Sequence, residues 1–503
     1  MKHLRFLAIA TLMTTFAAGG ENVRIDVRTF KLDNGLQVIF APRHDTPIVH
    51  SLVRYRVGSA NESAGLTGMS HMLEHMMFKG TKELQTANYD LEQGPMQEQD
   101  QMFAQVLDIR TRAMMNRPVE NSDEEIQKLL LKIKGLNVTL KIVTVQNDVD
   151  VATTQAGFSR LGADTSFDRT HYMEFFPSNC LEAWAYFESA RMKEPVFREF
   201  YSERDVILEE RRQTTETQPD GVMIERFLAA AFTAHSYRWD VIGWRSDIEN
   251  YTRRDVAEYH RLYYAPNNAI LVLVGDFQPG PAEALIRKYF GKIPAQDIPR
   301  PVAMTLEPPQ LGEKRLTVTF EGTPRLMIGF HRPGFGHPDY PVLEMIDALL
   351  SRGRSSVLYK ELTLGGKAAE FSTGIWEMKR YPGLFTVSAV AEKDVELSDL
   401  EKIILDALEK LKAQEVTARV LETARAKVTG QMLQRLNDRE ELAVVLAEGL
   451  DFSDDPFAFN DYLKLIQNVT AQDIQRVARQ YFARENRTVA WMMPAAPEKE
   501  VKK

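Results

Sequence analysis

His71, Glu74 and His75 stand in the run His71-Met72-Leu73-Glu74-His75. On a helix, residues four apart project from one face, so both imidazoles point the same way. Two nitrogens at that spacing can meet one tetrahedral zinc ion at about 2 Å each. Glu74 is three residues on from His71 and shares its face with an offset. Its carboxylate can stand beside the ion without binding it and take the proton of a water that attacks a carbonyl. Zinc in a hydrolytic site takes three protein ligands and keeps one position for solvent. The third ligand must come from elsewhere, and the run Phe200–Arg211 is its best source. Glu203 and Glu210 lie two turns apart along one face there, and Glu209 points about a quarter-turn away. Taken alone, that run equally fits a solvated charged face. Met69, Met72, Met76 and Met77 read as core filling, because thioethers suit softer metals. Cys180 reads as a small buried residue rather than a nucleophile.

These residues need a scaffold. Asp33-Asn34-Gly35 is a hairpin turn between the strands Thr29–Leu32 and Leu36–Phe40. Val49, Ser51, Val53, Tyr55 and Val57 alternate with their neighbours as a half-buried strand does. Gly65 to Lys79 reads as a helix that stops at Gly80-Thr81. Residues of about 90–150 are rich in Gln, Glu, Lys and Met, with apolar residues at helical spacing. They form two helices with a break at Asn116-Arg117-Pro118, an inserted helical hairpin.

Part of the chain repeats. Ile248, Thr252, Asp255, Tyr263 and Asn268 recur as Ile466, Thr470, Asp473, Tyr481 and Asn486, at an offset of 218 residues throughout. Each copy reads as a helix start, a helix with an aromatic end and then a strand. Five matches at one offset imply duplicated halves. The expected architecture is α+β used twice. A first, metal-binding half spans 24–290 with the helical insertion at about 90–150. A linker at 291–310 carries Pro299, Pro301, Pro308 and Pro309, a second half without the metal spans 311–496, and a charged tail covers 497–503.

The chain has 503 residues, is 44% hydrophobic and 26% charged, and carries a net charge of -8, which argues against nucleic-acid binding. Lys2 and Arg5 precede an apolar run, Phe6 to Ala18, that ends among small residues. These are the parts of a secretory leader, residues 1–19, which places the mature chain in the periplasm or outside the cell. A single cysteine makes no internal disulfide.

Together these residues resemble the pitrilysin–insulinase family of zinc peptidases with the inverted H-x-x-E-H motif. The resemblance continues through Thr165–Tyr172, Glu203–Arg212, Ala265–Asn268 and Ser351–Tyr359, and it is closest to the two-domain, processing-peptidase type. It implies a pair of homologous α+β domains that close like a clamshell. It implies Zn2+ held by His71, His75 and Glu210, with Glu74 as general base and Glu203 supporting a ligand histidine from outside. The implied activity is a metalloendopeptidase for unfolded peptides or proteins, bound as an added strand near Leu161 to Tyr172. The alternative is a catalytically weak peptide-binding or partner subunit of a two-subunit peptidase. The family pattern also allows a homodimer, or a heterodimer with a related subunit lacking the metal motif. Two departures stand out: Gly162 occupies the place of an Asn before the edge strand, and Thr363 and Glu370 occupy the places of a substrate-binding Arg and Tyr.

Overall fold

The computed structural model describes residues 16–18, 21–23, 25–117, 120–145, 148–298 and 305–495. Most of the expected leader lies outside these residues; of it, Phe16–Ala18 pairs antiparallel with Glu21–Val23. Pro299, Pro301 and the tail 497–503 also lie outside them.

Two sheets share one strand plan. The first contains β1 (Arg28–Lys31), β2 (Gln37–Pro42), β3 (Ile48–Tyr55), β4 (Ser159–Thr165), β5 (Thr170–Pro177) and β6 (Ala269–Gly275). Its order is β1-β2-β6-β3-β5-β4. The second contains β7 (Lys314–Thr319), β8 (Arg325–Arg332), β9 (Ala368–Ile375), β10 (Gly383–Ala391) and β11 (Arg487–Met493), in the order β9-β10-β8-β11-β7. One pair in each is parallel, β2 with β6 and β7 with β11, and the other pairs are antiparallel. Thus β4 and β9 are equivalent edges.

The repeat in the sequence has a physical basis. Thr252 and Asp255 form a capping box on the helix Arg253–Tyr263, and Thr470 and Asp473 form the same box on Ala471–Tyr481. The Asn268 and Asn486 amides then donate to the carbonyls of Tyr263 at 2.9 Å and Tyr481 at 2.7 Å, turning each chain into the next strand.

The helices that matter for the site are α1 (Met69–Met76), α2 (Tyr89–Met114), α3 (Ser122–Val143), α4 (Phe200–Arg211), α5 (Pro219–Ala231), α6 (Tyr340–Leu350), α7 (Ala418–Asn437) and α8 (Arg439–Ser453). The first of these is shorter than the expected Gly65–Lys79. Gly65 and Gly68 sit at φ 92° and 86°, left-handed values that end helical geometry before Met69. A β-carbon on Gly68 would also meet the Ile242 carbonyl oxygen at 2.3 Å.

Each sheet buries one face under its own helices and the other under a helix from the opposite half. Ile39, Leu52, Ile270, Val272 and Val274 pack on Leu442, Ala443, Leu446 and Leu450 of α8. Reciprocally, Met327, Leu384, Ala490 and Met492 pack on Met223, Phe227, Leu228 and Ala231 of α5. A β-carbon on Gly329 would lie 2.6 Å from the Phe227 ring, so only glycine lets α5 approach this closely. Burial of each such aliphatic or aromatic side chain contributes about 2 kcal/mol. The exchange corrects the expectation for β3, which is buried on both faces. Its polar residues His50 and Arg54 lie inside, with Arg54 only 1% exposed. Cys180 is half-buried rather than buried, with its thiol 3.4 Å from the Ala156 carbonyl.

Candidate metal centre

The loop before α1 is held by two carboxylates. Glu62 accepts from the amides of Gly68 at 2.7 Å and Ser70 at 2.8 Å, which satisfies donors at the helix start. Burial pushes Glu62 up to about 8, and these same amide bonds oppose the rise. Asp247 accepts from the Thr67 amide at 3.1 Å and the Thr67 hydroxyl at 2.7 Å. Neither carboxylate was singled out from the sequence, because each is an isolated acid that accepts from loop and helix-start groups rather than forming part of a spaced motif.

On this helix the rings of His71 and His75 lie 4.7 Å apart at 77°. Glu210, from α4, brings its carboxylate to 3.6 Å from Nε2 of each. One donor atom from each of the three residues lies within 4.8 Å of the others, and among the described residues no other such cluster of His, Cys, Asp and Glu occurs. Two imidazole nitrogens and one carboxylate oxygen make a three-ligand set that suits zinc. The Glu210 side chain is 38% exposed, so the cluster opens to solvent on that side.

Electrostatics act in opposite directions on the two histidines. Burial, then the neighbouring His75, holds His71 at about 3, so its ring stays neutral. Its Nδ1 is buried without a hydrogen-bond partner. Burial works to lower the pKa of His75, but Glu203, then Glu210 and Glu74, outweigh it and raise the value. Glu203 Oε1 is 3.1 Å from His75 Nδ1, and its other oxygen is 2.5 Å from Lys79 Nζ. Burial works to raise Glu203 too, and His75 and Lys79 together carry it below its usual range. Glu209 faces away and is held by Arg212 at 2.7 Å and Gln213 at 2.6 Å.

Glu74 is buried beside the cluster and accepts from the Thr165 hydroxyl at 2.5 Å. Burial raises its pKa, with the Thr165 bond opposing the rise. Thr165 ends β4, an edge of the first sheet that has no further strand beside it among the described residues. Thr165 was legible only as part of a longer motif, and Lys79 was not legible. Gly162, on the same strand, has open space around it, with Arg160 O at 3.8 Å the nearest atom to an added β-carbon.

The second half carries an arginine at the place that corresponds to this cluster. Arg352 donates from Nε to Asp347 at 2.9 Å, from Nη2 to Glu344 at 2.8 Å and from Nη1 to Gln431 at 2.5 Å. Asp347 and Glu344 lie on α6, the counterpart of α1, and Gln431 lies on α7, the counterpart of α4. Thr373 on the edge strand β9 donates to Asp347 at 2.5 Å, as Thr165 on β4 does to Glu74. A guanidinium therefore bridges the counterparts of the two helices between which His71, His75 and Glu210 converge in the first half.

Comparison with known proteins agrees with this asymmetry. The family described as Insulinase (Peptidase family M16) matches residues 38–94, which contain the His71–His75 run. The family described as Peptidase M16 inactive domain matches residues 250–428, which do not. Zinc protease PqqE of Helicobacter pylori is 28% identical over 474 residues, 92% of each chain. A probable mitochondrial-processing peptidase subunit beta of Arabidopsis thaliana is 22% identical over 469 residues, 91% of this chain and 76% of that one. The crystal structure of a protease from Helicobacter pylori aligns with a TM-score of 0.77 at 27% identity, covering 93% of this chain and 100% of that chain. The duplicated α/β halves and these matches together make the chain a member of the pitrilysin–insulinase (M16) family of peptidases.

Proposed function

We propose that this chain is a zinc-dependent endopeptidase that hydrolyses peptide bonds in unfolded peptides or proteins. The observation that supports it is the convergence of His71, His75 and Glu210 donors within 4.8 Å, with Glu74 on the same turn of helix. His71 and His75 would hold the ion through Nε2 and Glu210 through a carboxylate oxygen. Zinc bound there supplies Lewis acidity, which polarises a carbonyl and makes water a nucleophile near neutral pH. Glu74 takes the proton of the attacking water and returns it to the leaving amine. Its burial raises its proton affinity, which makes it a stronger base than an exposed carboxylate. Glu203 orients His75, and Lys79 keeps Glu203 charged. The open edge of β4 offers backbone donors and acceptors to an extended peptide, which selects chains that are not folded. The leader at 1–19 directs the mature chain to the periplasm or beyond. A related copy, with or without the metal motif, is the partner in the assembly we envisage.

A second reading is a catalytically weak peptide-binding or partner subunit. Thr363 and Glu370 favour it, since neither supplies a cation or phenol to a substrate. Zinc content and cleavage of an unstructured peptide, measured on the same samples, separate the two. Glu74→Gln is expected to keep its zinc and lose hydrolysis, whereas His71→Ala and Glu210→Ala lose the zinc. Wild-type protein that holds zinc and binds peptide without cleaving it would establish the second reading. Hydrolysis by Glu74→Gln at the wild-type rate would end the first.

A further inference from the structure

The helical hairpin α2–α3 turns one face inward and leaves the other uncovered. Phe103, Val106 and Ile109 of α2 meet Leu129 and Ile133 of α3 inside the core of the first half. Two buried amides fix this orientation: Gln99 donates to Asn137 at 2.6 Å, and Asn137 donates to Ser202 of α4 at 2.7 Å.

The outer face of α3 is apolar. Leu131, Val138 and Ile142 are 71%, 64% and 78% exposed, and Val145 follows just beyond the helix at 40%. With the exposed Gly135 they recur at alternating steps of four and three, a stripe about 80° wide at 100° per residue. Lysines run along both margins, Lys134 and Lys141 on one side and Lys128 and Lys132 on the other, all exposed. From Ile126 to Val145 there is no acidic residue, in a chain whose net charge is -8. Among the described residues, Lys132, Lys134 and Lys141 have no carboxylate within 4.0 Å, and Lys128 has only Glu125 at 3.8 Å.

We propose that this face of α3 docks the protein on a lipid bilayer with anionic headgroups. Aliphatic side chains in a narrow stripe enter the boundary between headgroups and acyl chains, and flanking lysines extend their stems upward to the phosphates. No helix among the described residues is long and apolar enough to cross a membrane, so α3 lies on the surface. A second copy of the chain fits this face poorly, because pairing α3 with itself sets lysine against lysine. Through Asn137 and Ser202, the docked face backs directly onto the helix that carries Glu203 and Glu210. The inference is independent of the peptidase reading.

Flotation of the full mature chain with vesicles tests it. The vesicles are phosphatidylcholine alone, or phosphatidylcholine with about one third phosphatidylglycerol. Binding is expected only to the second kind, and it falls as salt rises. Lys134→Gln and Lys141→Gln each weaken it by about five-fold. Leu131→Gln with Ile142→Gln weakens it by about ten-fold or more while leaving the melting temperature unchanged, since both side chains face solvent. Three results would overturn the proposal. They are no binding to anionic vesicles, equal binding by the Leu131→Gln/Ile142→Gln protein, and lipid-free self-association that the same double substitution abolishes.

Discussion

Thr165, at the end of the open sheet edge, donates its hydroxyl to Glu74 Oε2 at 2.5 Å. The bond ties the proposed base to the strand along which a peptide would lie, so it sets where the carboxylate stands when substrate arrives. Thr165→Val removes the donor at nearly constant shape. It is expected to lower kcat by about ten-fold or more, with zinc content and KM close to wild type. Thr165→Ser, which keeps the hydroxyl, restores most of the rate. Steady-state kinetics on zinc-loaded protein decides, and a Val variant with wild-type kcat would show that Thr165 does not position Glu74.

Glu203 touches His75 from the side away from Glu210. Its Oε1 lies 3.1 Å from Nδ1, which leaves Nε2 free to face Glu210. Glu203→Gln keeps a hydrogen-bond acceptor but loses the charge. Zinc affinity is expected to fall by about 10- to 100-fold, measured by competition with a chelating dye. Lys79→Met moves affinity in the same direction by less, since it changes only the setting of Glu203. Unchanged affinity in Glu203→Gln would mean that the carboxylate does not orient the ring.

What was legible in the sequence follows from what is local. The His71–His75 spacing is a property of one turn of helix, so the pair could be placed without knowing the fold. The capping boxes at Thr252 and Thr470 are equally local, and they exposed the duplication. The third donor was different. Glu203 and Glu210 share a face of α4, and which one reaches the histidines depends on how that helix crosses α1, a tertiary fact. The resemblance to known peptidases named Glu210, and the distances place it beside both rings while Glu203 sits behind one of them. The reciprocal exchange of α5 and α8 was not legible at all. Either helix, read alone, is an ordinary amphipathic segment, and nothing in its periodicity says which half it covers. For the same reason His50 and Arg54 on β3 looked like solvent-facing residues, yet they lie beneath α8.

Arg352 offers a test of how the second half holds together where the first half has its candidate metal site. Its guanidinium reaches Asp347 and Glu344 on α6 and Gln431 on α7. Arg352→Met leaves two carboxylates without their cation, one of them on the buried Asp347. Unfolding free energy is expected to drop by about 2–3 kcal/mol, less than the loss for a fully buried pair because Arg352 retains some exposure. Arg352→Lys recovers only part, since an ammonium cannot match the planar fork that spans two helices. Urea unfolding provides the measurement, with zinc content unchanged in both variants. A Met variant as stable as wild type would refute a structural role for this cation.

The exchanged helix α8 is locked by charge as well as by apolar contact, and this lock should respond to acid. The Asp451 side chain is fully buried and accepts from Arg54 Nε at 2.9 Å, Arg56 Nε at 2.9 Å and Arg380 Nη2 at 2.6 Å. Burial works to raise its pKa, but Arg54, Arg380 and Arg56 outweigh it and hold the group at about 2. An unfolded aspartate titrates near about 3.9. The folded value is the lower one, so the stabilisation is fully present above about pH 4 and is lost as pH falls toward 2, a contribution of about 2–3 kcal/mol. Glu448, held at about 2 against its burial by Lys379, Arg54 and Arg435, titrates in the same window. Asp451→Asn strands three guanidinium groups at neutral pH and is expected to be less stable there by at least that amount. As pH falls from about 5 to about 2, the gap between wild type and Asp451→Asn narrows, because the wild-type carboxyl loses its charge too. Urea unfolding of both proteins across that range reads the gap directly. A gap that stays constant would show that the ionised Asp451 is not what ties α8 to the first sheet.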